Sequence, residues 1–178
     1  MDSIRIGSSF ARQTEAAVTD LARQLAGHDY ALVMVFAADV HDGNELVTRM
    51  RRAFPAPTAL VGCTTAGEIG LAGYQIDSIV AVGFSADDFS AVTAVITDLA
   101  GCDMGECQRR IQEALQNSTL QREARGFDKS LAVALIDGLS LREEPVGRAL
   151  QLILGDIPLI GGSAGDSLRF QRTRVFHD

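Results

Sequence analysis

The chain has 178 residues, of which 47% are hydrophobic and 22% are charged, and its formal net charge is −7. That length suits one domain with a sizeable apolar core. The acidic balance disfavours nucleic acid and anionic membrane surfaces as partners, and apolar runs no longer than strands exclude a membrane span. The first residues lack an apolar signal core, and three cysteines without a CxxC spacing argue against a disulfide framework or a structural zinc site. We therefore expect a protein of the reducing cytoplasm.

Strand and helix patterns alternate in the first part of the chain. Residues 4–8 read as a short strand, and an amphipathic helix is predicted over residues 14–27. A nearly continuous apolar run over residues 30–36 is typical of a strand covered on both faces. A second helix is predicted over residues 44–54, and it ends before Pro55.

The second part predicts a mixed sheet. Residues 77–84 and 90–97 read as two strands whose short connection favours an antiparallel hairpin. Helices are predicted over residues 103–117 and from a capping box at residues 140–143 to residue 154, with strands over 130–136 and 168–176. Cys102 and Cys107, next to or on the first of these helices, are interpreted as packing residues. The predicted fold class is α/β: a mixed, mostly parallel sheet flanked by about four helices, with an antiparallel hairpin.

Residues 59–69, with the sequence ALVGCTTAGEI, combine a buried strand with an unusual loop. Three apolar residues lead directly into small, hydroxylated and glycine positions, and then into a carboxylate. Such a loop presents backbone amides, two hydroxyls, a thiol and an acid at one place, and glycine permits close approach to the backbone. This pattern is typical of a small-molecule site.

A similar loop occurs near the C-terminus, where residues 158–166 read PLIGGSAGD. Its SAGD matches the earlier TAGE conservatively at each position, and the preceding apolar strands, at residues 31–36 and 131–136, also correspond. We interpret this as a weak internal duplication of a strand–helix–strand unit at a spacing of roughly 100 residues. The two loops are then expected to form two halves of one cleft. Chance similarity between ordinary units of this kind is the alternative.

The duplication bears on the organisation of the domain. We expect a single domain over residues 1–178, with 1–100 and 101–178 as possible sub-units. Two predicted strands follow the first glycine loop, whereas only one follows the second. The last strand is therefore predicted to lie at an exposed sheet edge, where another copy or missing downstream sequence would add a strand.

The candidate ligand contacts come from both loops. Backbone amides and hydroxyls are expected to bind a ligand carboxylate, and one of the two loop acids its amine. A capping role for these acids is one alternative. Another is that they act as general acid and base, but no nucleophile accompanies them, so a binding role is favoured. The residues are Gly62, Cys63, Thr64, Thr65, Gly67 and Glu68 in the first loop, and Gly161, Gly162, Ser163 and Asp166 in the second.

A catalytic interpretation remains an alternative. GGSAG at residues 161–165 matches the G-x-S-x-G nucleophile elbow, but a strand-like segment follows it and His177 is the only later histidine. Cys63 would need a nearby histidine or helix N-terminus to become reactive, and a packing thiol is the alternative. A hydrolase would use Ser163 or Cys63. We assign no catalytic residue, and neither loop has a nucleotide-binding fingerprint.

The three histidines are His28, His41 and His177. A solvated surface position is the simplest interpretation of each. His41 or His177 could instead serve as an axial haem ligand. Covalent haem attachment is excluded because the CxxCH motif is absent, and no other metal site is predicted.

The two loop motifs resemble those of a known family. VGCTTAGEI at residues 61–69, IGGSAGD at 160–166 and RVFHD at 174–178 resemble the N-terminal half of FIST domains, over essentially the whole chain. The resemblance implies a non-enzymatic sensory domain of bacterial intracellular signal transduction that binds a small, amino-acid-like ligand. The alternative it implies is a haem protein that senses nitric oxide and acts on a histidine kinase. Family members usually carry a C-terminal FIST half, which is absent here, and a ligand site built from both halves would be incomplete in this chain.

Overall fold

A computed structural model describes residues 3–99, 101 and 103–177. The chain divides into two compact units. The first combines residues up to Phe89 with residues from Ala164 onward, and the second spans Ser90–Ser163. The second unit is thus inserted into the sequence of the first. The organisation as a single domain stays a prediction.

The described residues form four helices and nine strands, so the predicted α/β class is confirmed. The helices are α1 (Thr14–Gln24), α2 (Gly43–Ala53), α3 (Met104–Arg125) and α4 (Glu143–Leu154). The strands are β1 (Ile4–Ser9), β2 (Tyr30–Ala38), β3 (Ala59–Thr65), β4 (Glu68–Gly70), β5 (Gly73–Gln75), β6 (Ile79–Ser85), β7 (Ala132–Asp137), β8 (Leu159–Ala164) and β9 (Val175–His177).

The first unit is built on a five-stranded mixed sheet in the order β1-β6-β2-β3-β9. Only β2 and β3 are parallel in this sheet, and the other three pairs are antiparallel. Antiparallel pairing therefore predominates, although long apolar runs predicted a mostly parallel sheet. Both helices of the unit contribute to one core with the sheet, whose largest buried side chains include Leu21, Leu25, Val33, Leu46, Met50, Leu60 and Ile79.

Local sequence explains where α2 begins. Asp42 precedes the helix with an extended backbone, and its carboxylate accepts hydrogen bonds from the backbone N–H of Asn44 and of Glu45, both at 3.0 Å. These two amides have no partner inside the helix, so an acidic cap satisfies them and complements the positive end of the helix. The cap fixes the turn that carries His41.

The second unit contains α3, α4 and a two-stranded sheet of β7 and β8. Its α3 is longer than predicted and continues through the polar stretch after residue 117 to Arg125. It ends at Gly126, which adopts φ 70°. That left-handed conformation is favourable for glycine and suits a helix C-terminus. The predicted capping box of α4 does not form, since Ser140 Oγ donates to Asp137 O and α4 has Arg142 as its N-cap.

The two glycine motifs share one local geometry. A Cβ added to Gly62 in β3 would lie 1.9 Å from the carbonyl oxygen of Val35 in β2. A Cβ added to Gly161 in β8 would lie 2.0 Å from the carbonyl oxygen of Ala134 in β7. Both glycines follow the carbonyl they face by the same number of positions in sequence. The second unit therefore repeats a strand pair of the first, which supports the internal duplication.

The structure corrects two of the predicted strands and confirms the predicted edge position of the last one. Residues 91–98 form no strand, so the hairpin predicted between residues 77 and 97 is wrong, and the antiparallel hairpin is β4–β5 instead. The last strand is limited to β9, because residues before it form turns around Asp166. Its predicted position at a sheet edge is confirmed, since β9 ends the strand order and pairs with β3.

We expect Gly62→Ala and Gly161→Ala each to lower the free energy of unfolding by about 3 kcal/mol, because the new Cβ would strike a backbone carbonyl that cannot move aside. Gly162→Ala is the matched control, because it lies in the same strand as Gly161 and a Cβ there meets nothing within 4 Å. Urea unfolding monitored by circular dichroism measures all three. Equal stability of the Gly161→Ala and Gly162→Ala variants would contradict the shared geometry.

Candidate functional site

The ends of three strands meet at one edge of the first unit's sheet. The parallel strands β2 and β3 end together, with Ala38 opposite Thr65. Strand β6 runs the other way and begins at the same edge, where Ala38 N donates a 2.9 Å hydrogen bond to Ser78 O. The carboxyl edge of parallel strands is where open α/β sheets usually place their ligands.

Buried polar side chains concentrate at this edge. Burial of a polar group is unfavourable unless hydrogen bonds replace those it made with water. Such a concentration therefore needs either internal partners or a guest. We refer to five of these side chains as the polar cluster: Thr14, His41, Glu68, Gln75 and Ser78, all buried.

Glu68 is the central acid of the polar cluster and is only 1% exposed. Thr65 Oγ1 donates a short hydrogen bond to Glu68 Oε1. Ser78 donates to Oε2 twice, from its backbone N at 3.1 Å and from its Oγ at 2.6 Å. The carboxylate thus links the residues on either side of the β4–β5 hairpin and holds the hairpin against the sheet edge.

His41 and Gln75 have polar atoms that are sealed from solvent and lack a hydrogen-bond partner among the described residues. These atoms are His41 Nε2 and both Nε2 and Oε1 of Gln75. The other ring nitrogen of His41, Nδ1, lies 3.4 Å from Thr14 Oγ1. Native proteins rarely leave buried polar atoms unpaired, and such atoms commonly mark a bound water or ligand.

The environment of His41 differs from the sequence expectation. The side chain is 2% exposed, so the interpretation of His41 as a solvated surface histidine is wrong. Burial lowers the pKa of His41, while the charges of Glu68 and Glu45 oppose that shift. The capped turn before α2 places His41 against Thr14 of α1, which the loop's polar sequence did not reveal.

Part of the second glycine loop lies directly against the first. Gly165 N donates a 2.9 Å hydrogen bond to Thr64 O, and a Cβ on Gly165 would lie 3.0 Å from Ala66 N. Thr64 Oγ1 accepts a 3.0 Å hydrogen bond from Arg174 N. These groups make backbone contacts with each other, so Gly165 is required here for close approach.

Asp166 organises the loop that follows it. Its Oδ1 accepts from Phe170 N at 2.8 Å, and its Oδ2 accepts from Gln171 N at 2.6 Å and Arg172 N at 2.9 Å. The hydrogen bond from Arg172 and those from its neighbours lower the pKa of Asp166. In this structure the carboxylate therefore closes a turn, and contact with a ligand stays a prediction.

The other sequence candidates have varied surroundings. Gly62, Cys63 and Thr64 are buried in β3, and Thr65 borders the polar cluster. A Cβ on Gly67 would lie 2.3 Å from Tyr74 Oη. Gly161, Gly162 and Ser163 belong to the second unit and are exposed. Sequence reasoning missed Gln75 and Ser78, for which inward alternation opposite Glu68 was the only available signal.

Neither candidate nucleophile has an activating partner in the contacts described. Ser163 Oγ donates to Glu143 Oε1 at 3.0 Å at an exposed position, and no histidine contacts it in the hydrogen bonds described. Cys63 is 3% exposed, and burial raises the pKa of its thiol to about 11. Cys107 is buried, as expected of a packing residue, but it is also disulfide-bonded, so the sequence argument against disulfides is wrong for this residue. Cys102 lies outside the described residues.

The two histidines proposed for haem do not fit that group. His41 is sealed among the hydroxyl of Thr14 and the carboxylate of Glu68, whereas an axial haem ligand needs an apolar slot for the macrocycle beside it. His177 pairs with Val61 in the sheet ladder. It lines an open groove of about 590 Å³ whose walls combine polar side chains, among them Asn44 and Arg174, with apolar ones such as Val47. We derive no step through haem.

The described residues offer neither a metal cluster nor a membrane span. No group of three or more histidine, cysteine, aspartate or glutamate side chains there could hold a metal ion. None of the helices in the same part of the chain has the length and apolar composition needed to cross a bilayer.

Comparison with known proteins gives one finding. The family model described as the FIST N domain matches residues 31–178. Comparison with curated proteins and with solved structures found no match.

Burial of His41 makes stability depend on pH. Its folded pKa is lowered below the ordinary value of 6.5, so the unfolded chain binds the proton first as pH falls. We expect the free energy of unfolding to decrease below about pH 6.5, with a slope of up to about 1.4 kcal/mol per pH unit attributable to this group. Urea unfolding between pH 5 and pH 8 measures it, and the His41→Gln variant should lack this part of the slope. Identical pH profiles would contradict the assignment.

The buried thiol should resist modification. We expect iodoacetamide at pH 8 to leave Cys63 unlabelled in the native protein, because the thiol is sealed and its raised pKa leaves little thiolate. The same peptide from urea-unfolded protein is the control and should be labelled fully, as measured by mass spectrometry. Rapid native labelling would return Cys63 to consideration as a nucleophile.

Proposed function

The chain belongs to the FIST family through its FIST N domain, a signal-transduction sensory domain, and on that premise we propose that its polar cluster binds the small molecule that it senses. The observation that carries the proposal is the set of three sealed, unpaired atoms on His41 and Gln75 beside the Glu68 carboxylate. Each buried unpaired polar group costs about 1–3 kcal/mol. Since domains are stable by only about 5–15 kcal/mol, a guest that supplies the missing hydrogen bonds would stabilise the fold substantially.

The donor and acceptor set suggests the class of ligand. The Gln75 amide nitrogen donates hydrogen bonds, and His41 Nε2 does so when Thr14 donates to Nδ1. The Gln75 amide oxygen and the Glu68 carboxylate accept them. A molecule that carries a carboxylate or carbonyl together with an amine would satisfy both kinds of group. An amino-acid-like ligand has this combination.

The proposed site retains part of the site predicted from sequence. Glu68 and Thr65 lie at the ligand, and Gly62, Cys63 and Thr64 support it from the adjacent strand. Ligand contact by Gly67, Gly161, Gly162, Ser163 and Asp166 remains a prediction. Because the unpaired atoms are sealed, the ligand reaches them only when the β4–β5 hairpin moves away from the sheet edge.

The downstream partner is proposed on family grounds. A histidine kinase or another signalling protein in the cytoplasm would receive the signal. We propose no catalytic step.

Replacement of Gln75 tests the polar cluster without knowledge of the ligand. Gln75→Leu removes two unpaired atoms, so the ligand-free variant should be as stable as wild type or more stable. Gln24→Leu is the matched control, because the Gln24 amide accepts from Ser8 N and donates to Ser8 O and Asp20 O. That variant should lose about 1–2 kcal/mol. Equal destabilisation of both variants, measured by urea unfolding, would show that Gln75 has partners within the chain.

A thermal-shift screen with the twenty amino acids tests the ligand class. We expect at least one of them at millimolar concentration to raise the melting temperature of wild type, since it binds the folded state alone. The shift should disappear in Gln75→Leu and persist in Gln24→Leu. The absence of any shift in wild type would sink the amino-acid-like assignment.

A further inference from the structure

The β4–β5 hairpin has an outer surface that is unusually apolar. We call its four large side chains the hairpin face: Ile69, Leu71, Tyr74 and Ile76, which are 78%, 78%, 65% and 63% exposed. Single exposed apolar residues are ordinary on protein surfaces, but four within eight positions form a patch on the order of 400 Å². Patches of that size commonly mark interaction sites.

Strand alternation separates this face from the polar cluster. Glu68 pairs with Gln75 on the inner side of the hairpin, and Ile69 pairs with Tyr74 on the outer side. Ile76 follows β5 directly and is also exposed. The hairpin face is therefore built by the register of the hairpin.

Tyr74 is held in place at the centre of the hairpin face. Its ring lies over Gly67 so closely that a Cβ there would approach Tyr74 Oη to 2.3 Å. The hydroxyl donates a 3.3 Å hydrogen bond to Ala66 O. An aromatic side chain held in this way loses little conformational entropy on association, as is typical of interface anchors.

The charge pattern favours a second copy of this chain as the occupant. Residues 69–76 contain no charged side chain, although the whole chain has a net charge of −7. The next charge along the chain, Asp77, is paired with Arg12 at 2.7 Å. Two copies can therefore meet at this face without bringing like charges into contact, whereas most other acidic surfaces would repel.

The surface area that two hairpin faces would bury is in the range of a weak, reversible dimer. Two hairpin faces with the backbone between their side chains would bury on the order of 1,000 Å² in total, near the lower bound for a specific interface. We propose that the hairpin face is a self-association surface, through which two copies pack with Ile69, Leu71 and Tyr74 at the centre of a two-fold contact. This association is separate from the strand addition considered at β9.

Sedimentation velocity of the full chain tests the proposal. We expect the average mass of wild type to rise toward that of a dimer between about 1 µM and 1 mM, the range suited to so small an interface. Ile69→Glu and Ile69→Lys should each remain monomeric, because they place like charges on both sides of the two-fold contact. A mixture of the two variants should associate again, since opposite charges then meet. Residue 69 is exposed, and circular dichroism melting verifies that both variants fold.

Val175→Glu in β9 is the matched control, because it places the same charge on the open sheet edge. It should associate like wild type. Wild type that stays monomeric throughout the concentration range would overturn the proposal. So would association that survives both Ile69 substitutions or that is lost in Val175→Glu.

Discussion

The buried carboxylate of Glu68 is the constraint on which the candidate site depends. An isolated carboxylate removed from water would be unfavourable by several kcal/mol, and its hydrogen bonds with Thr65 and Ser78 are what make burial tolerable. These donors stand at the two ends of the segment that forms the β4–β5 hairpin. The acid therefore sets the position of Gln75 on the opposite strand, and its charge acts on the buried His41. The Glu68 carboxylate has its own hydrogen bonds, whereas buried atoms of His41 and Gln75 have none among the described residues.

This arrangement suggests how a guest and a surface are connected. Glu68 and Gln75 on the inner side alternate with Ile69 and Tyr74 on the outer side of strands only three residues long. In strands of three residues, the inner and outer side chains are carried by the same short backbone, so they move together. The inner pair of the polar cluster and the hairpin face are therefore two sides of one rigid hairpin.

Local patterns predicted much of the first unit. Local patterns were sufficient to predict α1 from its amphipathic periodicity, β2 from its apolar run, and β3 from the apolar residues before the Gly62 loop. Each of these patterns depends only on residues that are close in sequence. Glu68 was singled out for the same reason. The strand predicted over residues 90–97 failed because alternation alone does not supply a pairing partner. Gln75 and Ser78 were missed because their importance arises from Glu68, and His41 because its burial depends on elements distant in sequence.

The glycine motifs illustrate the difference between sequence similarity and placement. Gly62 and Gly161 occupy equivalent positions against a neighbouring carbonyl, so that part of the duplication is a requirement of close strand packing. Gly165 and Asp166 follow Gly161 in the second motif but belong to the first compact unit. There Gly165 donates a hydrogen bond to the first loop and Asp166 closes a turn. The two copies of the glycine motif are therefore similar in sequence but only partly equivalent in structure.

The first unit draws its sheet from both ends of the chain, since β9 and the turn around Asp166 are added only after the whole inserted unit has passed. During synthesis, one side of β3 therefore stays unpaired while the 109 residues between Thr65 and Val175 leave the ribosome. Closure of so long an intervening segment is entropically inexpensive once that segment is itself compact. The nascent chain nevertheless passes through a stage in which the first unit's sheet lacks β9, and an unpaired strand edge at that stage favours aggregation.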